Sequence, residues 1–373
     1  MPMFISKRYV DEAPYRCGAC KSLKWDYCGA YLGLFVSLFK FIICLRFTNR
    51  QSPLSISITM KPVNPHNNST VSIENSREID ASECNEMDDA SQFSYDLVQD
   101  IANYLLNSTA HRPKVGIICG SGFGRLAESI ENAIKIPYKS IPHFPVSTVP
   151  GHLGQMIFGT LNNVPVMCMQ GRFHYFEGYS LAKCCMPIRV MKLVGVTHLI
   201  VTNASGALND RYNVGDIVIL KDHINLMGFI GHNPLRGTND PRFGPRFPCI
   251  SKPYDDRMRM QAIDIMRELG IDSEVHEGVY TCLGGPNYET IAEVKLLKSF
   301  GIDCVGMSTV HEVITANHCG IKVFAFSIIT NKCIAEYESE ETVDHDSVIE
   351  AANNQQNFLA ELVHRLVAQI DSN

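Results

Sequence analysis

The chain has 373 residues with a formal net charge of −6, and 45% of its residues are hydrophobic and 19% charged. This apolar content is enough for a large core and excludes a disordered or fibrous chain. The acidic balance, with no basic stripe, excludes a dedicated nucleic-acid-binding protein.

Residues 1–90 differ in composition from the rest, and we interpret them as a variable N-terminal leader. Residues 28–45 form an apolar run interrupted by Lys40, and this run just reaches the ~17–25 residues that a membrane span needs. A membrane anchor therefore stays open as an alternative, although we favour a leader that spans nothing. A polar linker follows from Gln51 to Met87, and we predict one catalytic domain over residues 91–373.

The 14 cysteines do not follow a disulfide pattern. Several lie in or beside apolar segments, where a free Cys behaves as a small buried hydrophobe; they are Cys119, Cys168, Cys282, Cys304 and Cys319. This placement predicts a reducing, cytoplasmic location. Cys17 and Cys20 form half of a zinc-ligand pattern that nothing nearby completes, so we predict no metal site.

Short apolar runs alternate with segments of helical periodicity from about residue 95 onward. The predicted strands are Val115–Cys119, Val164–Met169, His198–Thr202, Asp216–Leu220, Cys304–Met307 and Lys322–Ile329. The predicted helices are Tyr95–Leu106, Leu181–Leu193, Asp255–Leu269, Ile291–Phe300, Val310–Cys319 and His345–Ile370. This alternation predicts an α/β fold, a mixed β-sheet flanked by helices in a single domain, with ligands beyond the carboxyl ends of the strands.

Polar and glycine-rich motifs stand at several predicted strand ends. Gly120–Gly124 follows the first strand, and its backbone N–H groups could bind an anion or form a structural turn. Arg172 and His174 follow the second strand and supply donors suited to an oxyanion. His152 follows Pro150-Gly151. A single loop histidine is usually structural, so His152 supports an oxyanion site only because Arg172 and His174 also point to one.

Two later motifs have a different character. Tyr288 and Glu289 combine an aromatic face with a carboxylate after a Gly-Gly-Pro turn, and Asn331 ends the long strand Lys322–Ile329. A carboxylate and a carboxamide can pair with the edge of a heterocycle while the aromatic ring stacks on its face. Taken singly, Glu289 could instead cap a helix and Asn331 could satisfy a turn.

Together these motifs resemble the homotrimeric purine nucleoside phosphorylases, in family order and over about residues 95–370. The matching segments are 117–122, 147–152, 169–174, 177–179, 201–204, 222–226, 233–237, 242–244, 305–309 and 329–332. The resemblance implies the nucleoside phosphorylase fold and reversible phosphorolysis of 6-oxopurine nucleosides such as inosine and guanosine, within purine salvage. The co-substrate would be inorganic phosphate, and no cofactor or metal would be required, since catalysis is mainly positioning and electrostatics.

The resemblance also assigns roles to individual residues. Phosphate would be bound by Ser121, His152, Arg172, Phe173, His174, Ala204 and Ser308. The nucleoside would meet Phe176, Tyr288, Glu289, Val305, Met307, Asn331 and His345, with Asn331, Glu289, His345 and His174 as the catalytic residues. Phe243 matches a residue that reaches into the neighbouring subunit's site, which would make the homotrimer necessary for a complete pocket.

Four positions depart from the family pattern. Phe176 replaces a Tyr that binds the ribose, although Tyr175 is adjacent, and Tyr288 replaces the commoner Phe beside the base. Ser205 stands for Ala, and His311 for Pro. Two alternatives therefore remain: a methylthioadenosine phosphorylase, which favours Asp where Asn331 stands, and a catalytically weak paralogue that binds nucleosides.

Overall fold

A computed structural model describes residues 94–120, 123–149, 152–271, 274–340, 342–343 and 345–371 of the protein. The side chains of residues 345, 346, 354, 357 and 371 are not described. The predicted leader, with its apolar run 28–45, lies outside these residues, so the boundary at residue 90 stays a prediction. None of the helices within the described ranges is long and apolar enough to cross a bilayer.

The strands of the described residues form one nine-stranded mixed sheet. They are β1 (Val115–Cys119), β2 (Glu131–Pro137), β3 (Gln155–Leu161), β4 (Val164–Gln170), β5 (His198–Ala207), β6 (Ile217–Ile224), β7 (Val275–Cys282), β8 (Cys304–Gly306) and β9 (Lys322–Lys332). The α-helices are α1 (Tyr95–Asn107), α2 (Gly124–Glu128), α3 (Leu181–Val194), α4 (Leu226–Phe229), α5 (Asp256–Glu268), α6 (Ile291–Ser299), α7 (Val310–His318), α8 (His345–Asn354) and α9 (Gln356–Asp371).

The strand order is β2-β3-β4-β1-β5-β8-β7-β6-β9, and β9 pairs with β5 as well as with β6. These pairings close β5, β8, β7, β6 and β9 into a ring, from which β1, β4, β3 and β2 extend as an open wing. β1, β4, β5 and β9 are parallel, so their carboxyl ends lie at one edge of the sheet. The groups that follow these strands are therefore brought together.

Helices cover both faces of the wing, because successive residues of a strand point to opposite faces. In β1, the side chain of Ile118 packs in the core shared with α1, α3 and α7. The side chain of Ile117 packs on the other face, in the core shared with α2, α5 and α9. The burial of all five residues of β1 explains why that strand is apolar throughout.

Four of the helices longer than a single turn follow directly after a residue whose side chain accepts a hydrogen bond from the backbone N–H three positions later. These caps are Ser94, Ser180, Asp255 and Thr290. Each satisfies one of the donors that the first turn of a helix leaves unpaired. Local sequence thus sets where α1, α3, α5 and α6 begin.

The predicted α/β fold with a mixed sheet is confirmed, and so are the six predicted strands, although β5 extends five residues further. The sequence patterns missed β2, β3 and β7. β2 is an edge strand whose residues are almost all exposed. β7 begins with residues that are at most half-buried, two of them polar. The prediction of a single helix over His345–Ile370 was wrong, because α8 and α9 are separated at Gln355 within an Asn- and Gln-rich stretch of moderate to low helix propensity.

Candidate active site

A cavity of about 460 Å³ lies beside the ring, between the ends of β4, β5, β8 and β9. Most of the residues predicted to bind ligand line this cavity. They are Arg172, His174, Phe176, Ala204, Tyr288, Glu289, Val305, Met307, Ser308 and Asn331. The chain therefore brings together groups separated by up to 160 positions, as the parallel strand ends require.

Arg172 is held rigidly at one end of the cavity and is 2% exposed. Its Nε and Nη2 each donate a hydrogen bond of 3.1 Å to the carboxylate of Glu312, and its Nη1 donates one of 2.8 Å to the backbone oxygen of Thr202. A guanidinium has five N–H donors, so two remain for an anion in the cavity. The bidentate pair orients the planar group, as charge-assisted forks do.

Glu177 holds His174 in a fixed orientation beside Arg172. The carboxylate of Glu177 accepts hydrogen bonds from the backbone N–H of His174 at 2.8 Å and from its Nδ1 at 3.0 Å. It also accepts two bonds of 2.7 Å from Thr148. With Nδ1 donating, the neutral imidazole has its lone pair on Nε2.

The pKa values of this pair follow from burial and from these hydrogen bonds. Burial lowers the pKa of His174 below its ordinary value, more than the bond to Glu177 raises it. Burial would raise the pKa of Glu177, but the hydrogen bonds from His174 and Thr148 outweigh it and lower that pKa to about 2. The pair therefore consists of a neutral imidazole and a carboxylate at neutral pH.

His152 does not line the cavity but stacks behind His174, with ring centroids 5.4 Å apart. Its Nδ1 lies 3.3 Å from both the backbone N and O of Arg172. Burial, and then the nearby His174 and Arg172, lower the pKa of His152 to about 4. Because Glu312 neutralises Arg172 and both imidazoles are uncharged, this end of the cavity offers an anion hydrogen-bond donors rather than a net positive charge.

Glu289, Tyr288 and Asn331 lie at the opposite end of the cavity. Burial raises the pKa of the Glu289 carboxyl, and the ring of Tyr288 is 37% exposed. A Cβ placed on Gly206 would lie 3.1 Å from Nδ2 of Asn331, so the carboxamide packs directly against the backbone of β5.

Strand β5 gives the distance between the two ends. Its Thr202 contacts Arg172, and its Gly206, four residues later, contacts Asn331. At about 3.3 Å per residue this separation is roughly 13 Å.

Phe176 and Met307 lie together between the two ends, since a Cβ on Gly285 would come within 3.0 Å of both side chains. The ring of Phe176 stacks on His174 with centroids 4.7 Å apart. Tyr175 does not line the cavity; its hydroxyl lies 3.5 Å from Nδ1 of His232. Tyr175 is therefore not placed to supply the hydroxyl that Phe176 lacks.

Two predicted site residues are buried in their own subunit instead. Phe173 packs against Tyr138, Phe144 and Tyr179, so its ring belongs to the core and only its backbone can face a ligand. Phe243 is 3% exposed, with its ring 4.9 Å from that of Tyr95. Within this chain the ring is therefore largely covered, and the reach of Phe243 into a neighbouring subunit stays a prediction.

Ser121 and Gly122 lie outside the described residues, and so does the side chain of His345. Their predicted roles therefore stay predictions. The part of the chain that the structure describes contains no group of three or more His, Cys, Asp or Glu side chains that could hold a metal ion.

Sequence reasoning missed Glu312, although it is as buried as Arg172 at 2% exposure. Its signal was a carboxylate in the first turn of a predicted helix that contains no Lys, Arg or second carboxylate, directly after the Ser308 motif. Such a group is rarely buried without a cation, and Arg172 was the candidate. The role of Glu177 in holding His174 was missed too.

Comparison with known proteins gives consistent results. A family model described as the phosphorylase superfamily matches residues 114–368. The purine nucleoside phosphorylase of Anopheles gambiae is 59% identical over 278 residues, 74% of this chain and 79% of that protein. The purine nucleoside phosphorylase of Bos taurus is 50% identical over 281 residues, 75% of this chain and 97% of that protein.

A solved structure of Schistosoma mansoni purine nucleoside phosphorylase in complex with inosine superposes with a TM-score of 0.71 at 44% identity. The match covers 74% of this chain and 96% of that one. The fold expected from the sequence resemblance is thereby confirmed.

Proposed function

Because the chain belongs to the phosphorylase superfamily, as one of its purine nucleoside phosphorylases, we propose how its cavity carries out that reaction. The enzyme cleaves the glycosidic bond of a purine nucleoside with inorganic phosphate. The products are the free base and a pentose 1-phosphate, and the reaction is reversible. The observation that supports our assignment of roles is the single cavity that has anion donors at one end and a carboxylate–carboxamide pair roughly 13 Å away.

We assign phosphate to the end that contains Arg172, His174, Ser308 and the backbone of Ala204. The two open N–H donors of Arg172 bind phosphate oxygens, and Ser308 donates its hydroxyl. Nε2 of His174 accepts the remaining phosphate proton, since Glu177 keeps the other ring nitrogen protonated. Ser121 and His152 support the same subsite from the glycine turn and from behind His174.

We assign the purine to Glu289 and Asn331, with Tyr288 and Val305 packed on the base. Met307 and Phe176 line the pentose between the two ends, and His345 approaches its 5′-hydroxyl. As the glycosidic bond breaks, the pentose gains oxocarbenium character and the leaving base gains negative charge. Asn331 stabilises that charge at N7 and the 6-oxo edge, Glu289 accepts N1–H, and the phosphate oxygen attacks the anomeric carbon.

The amide of Asn331 favours 6-oxopurines, because it can donate to N7 and to a 6-oxo group. We expect inosine and guanosine to be cleaved only in the presence of phosphate, and adenosine poorly. Steady-state assay of the three nucleosides with and without phosphate tests this. Phosphate-independent hydrolysis would contradict the reaction, and comparable turnover of adenosine would contradict only the base preference.

The variant Asn331→Asp tests the base assignment directly. A mismatched buried polar pair commonly costs ~1–3 kcal/mol, so turnover of inosine should fall while adenosine gains relative to it. Asp also replaces Asn at this position in the methylthioadenosine phosphorylases that the sequence left as an alternative. An unchanged ratio of adenosine to inosine turnover would contradict the assigned role.

We also propose that the enzyme is a cytoplasmic homotrimer. The large apolar side chains of Phe229, Ile230 and Phe247 are 77%, 78% and 88% exposed, as at surfaces that bind another protein. Phe247, four residues after the buried Phe243, is the better candidate to contact a neighbouring subunit. The cysteines within the described ranges are free thiols, in keeping with a reducing compartment. Sedimentation of the full chain tests the assembly, and a monomer with full activity would contradict it.

A further inference from the structure

A tight turn joins β8 to α7 at the wall of the cavity. Thr309 has φ 72° and ψ −55°, and the N–H of Val310 donates a hydrogen bond of 2.8 Å to the oxygen of Ser308. These values define a γ-turn of the rare, strained type. A β-branched residue in this left-handed region is unusual, so the surrounding structure must hold Thr309 there.

The turn is held from three strands of the ring. Nδ2 of Asn203, on β5, donates a hydrogen bond of 2.9 Å to Oγ1 of Thr309. Oγ of Ser327, on β9, donates one of 2.7 Å to Oδ1 of Asn203, and the hydroxyl of Tyr280, on β7, donates one of 3.3 Å to the oxygen of Ser308. All five residues are at most 5% exposed, so no bulk water replaces these bonds.

These bonds have a direction. Either hydroxyl could donate in the 3.3 Å contact between Oγ1 of Thr309 and Oγ of Ser308. We take Thr309 as the donor, because its Oγ1 already accepts the amide hydrogen of Asn203 and its own buried hydrogen needs an acceptor. Ser308 then accepts from Thr309, and its own hydrogen is left to point elsewhere. Ser308 lines the cavity, where its hydroxyl is a donor suited to an anion. A chain that runs from Ser327 through Asn203 and Thr309 thus ends in a donor at the cavity.

The same turn also sets the position of Arg172. Helix α7 begins directly after Thr309, and Glu312 in its first turn holds the guanidinium of Arg172. Ser308 and Glu312 lie on either side of the γ-turn, so its conformation fixes both relative to each other. If the turn relaxed, the hydroxyl of Ser308, a donor at the phosphate end, would move. The carboxylate of Glu312, which orients the donors of Arg172, would move as well.

We propose that Thr309 is a positioning residue for phosphate, acting through the direction of its hydrogen bonds and through its strained backbone. Thr309 does not line the cavity itself. The proposal rests on the proposed function, which assigns phosphate to this end. It predicts that a change at Thr309 affects phosphate and leaves the nucleoside, about 13 Å along the cavity at its base end, largely unaffected.

The test compares four variants by steady-state kinetics, with the KM of phosphate and of inosine measured separately. Thr309→Val keeps the shape and removes the hydroxyl, and should raise the KM of phosphate roughly tenfold. Thr309→Ser keeps the hydroxyl and should stay within about twofold of the wild type. Ser327→Ala, remote from the cavity, should raise it roughly threefold, and the KM of inosine should change by less than about twofold throughout.

Thr315→Val is the matched control. Thr315, in α7, is as fully buried as Thr309, but its hydroxyl donates a hydrogen bond to the backbone oxygen of His311 in its own helix. This variant loses a buried hydroxyl without touching the turn and should leave the KM of phosphate unchanged. A merely structural role for Thr309 would make the two valine variants alike.

Two results would overturn the proposal: a KM of phosphate in Thr309→Val equal to the wild type's, or equal increases in the KM of phosphate and of inosine. Should Thr309→Val be recovered unfolded, Ser327→Ala decides, and an unchanged KM of phosphate in that variant overturns the proposal. Wild-type cleavage of inosine without phosphate would instead refute the proposed function. Calorimetric titration with inorganic phosphate then decides separately whether Thr309 affects anion binding.

Discussion

Arg172 and His174, which we assign to phosphate, are each held in place by the carboxylate of another residue. Arg172 depends on Glu312, and His174 depends on Glu177. The buried Arg172–Glu312 pair has no water to replace either partner, since both are 2% exposed. Removing one charge of such a pair commonly costs ~3–5 kcal/mol, because the other is left buried without compensation.

Glu312→Gln should therefore lower the free energy of unfolding by roughly 3 kcal/mol. Inorganic phosphate should raise the Tm of this variant more than that of the wild type, because the anion supplies the counter-charge that Glu312 provided. Thermal unfolding with and without phosphate measures both effects. The exposed pair Arg365–Glu361 supplies the control, since Glu361→Gln should change stability by less than about 1 kcal/mol. Equal phosphate-induced Tm shifts in wild type and Glu312→Gln would contradict this account.

Phe176 stacks on His174 in the part of the cavity that we assign to the pentose, and it has no hydroxyl to donate. Phe176→Tyr should lower the KM of the nucleoside by less than about tenfold, the value of one hydrogen bond of ~0.5–1.5 kcal/mol. The KM of phosphate should hardly change, because Arg172 and Ser308 are untouched. Tyr175→Phe serves as the neighbouring control and should leave both KM values unchanged, since its hydroxyl faces His232. A raised nucleoside KM in Tyr175→Phe would show that Tyr175 binds the pentose after all.

At the scale of elements, the strand ends bring two glycines against opposite ends of the cavity. A Cβ on Gly120, after β1, would lie 2.7 Å from Nη1 of Arg172 and 2.9 Å from the oxygen of Thr202. A Cβ on Gly206, in β5, would lie 2.7 Å from Sγ of Cys333 and 3.1 Å from Nδ2 of Asn331. Each glycine therefore lets one of the side chains that we assign to ligand binding pack against strand backbone.

The two alanine variants should separate the ends of the cavity. Overpacking of this kind costs ~1–3 kcal/mol, so Gly120→Ala should raise the KM of phosphate by about tenfold and Gly206→Ala that of the nucleoside by a similar factor. Gly124→Ala, at the start of α2 with nothing within 4 Å, controls for the loss of a glycine. The KM of phosphate and the KM of the nucleoside are measured in all three variants. If both KM values change alike in Gly120→Ala and Gly206→Ala, the cavity does not have two separate subsites.

At the scale of the whole molecule, buried histidines link stability to pH. Burial is the first cause that lowers the pKa of His152, His223 and His311 from 6.5 to about 4. The unfolded chain binds protons at these sites from about pH 6.5 downward, while the folded chain does not. Their contribution is therefore complete above pH 6.5 and is lost as the pH falls toward 4.

Urea unfolding at pH 7, 6 and 5 should show a free energy that falls with pH by ~1.4 kcal/mol per unit for each of these histidines below pH 6. Glu177, with a pKa of about 2, adds to the loss only below its ordinary value near 4.5. His311→Gln should reduce the slope of the free energy of unfolding against pH by the contribution of one histidine. A free energy that stays constant between pH 7 and 5 would rule out these three histidines as the source.

The sequence by itself determined the α/β class and six of the nine strands in the described region, and through the family resemblance it named half of the residues that line the cavity. These features are local, since a fully buried strand such as β1 must be apolar and parallel strands carry their ligand groups at their carboxyl ends. The break between α8 and α9, the edge strand β2 and the half-polar β7 were not recognised, because their local patterns carry weak periodicity.

Only the tertiary structure decided which side chains hold the site together. Arg172 and Glu312 are 140 positions apart and meet because β4 and α7 converge, and β9 closes the ring by pairing with both β5 and β6. Whether Phe243 or Phe247 is exposed depends on the packing of their loop against Tyr95. Such contacts between distant positions leave no periodic trace in the sequence, since packing partners are selected by the fold in three dimensions.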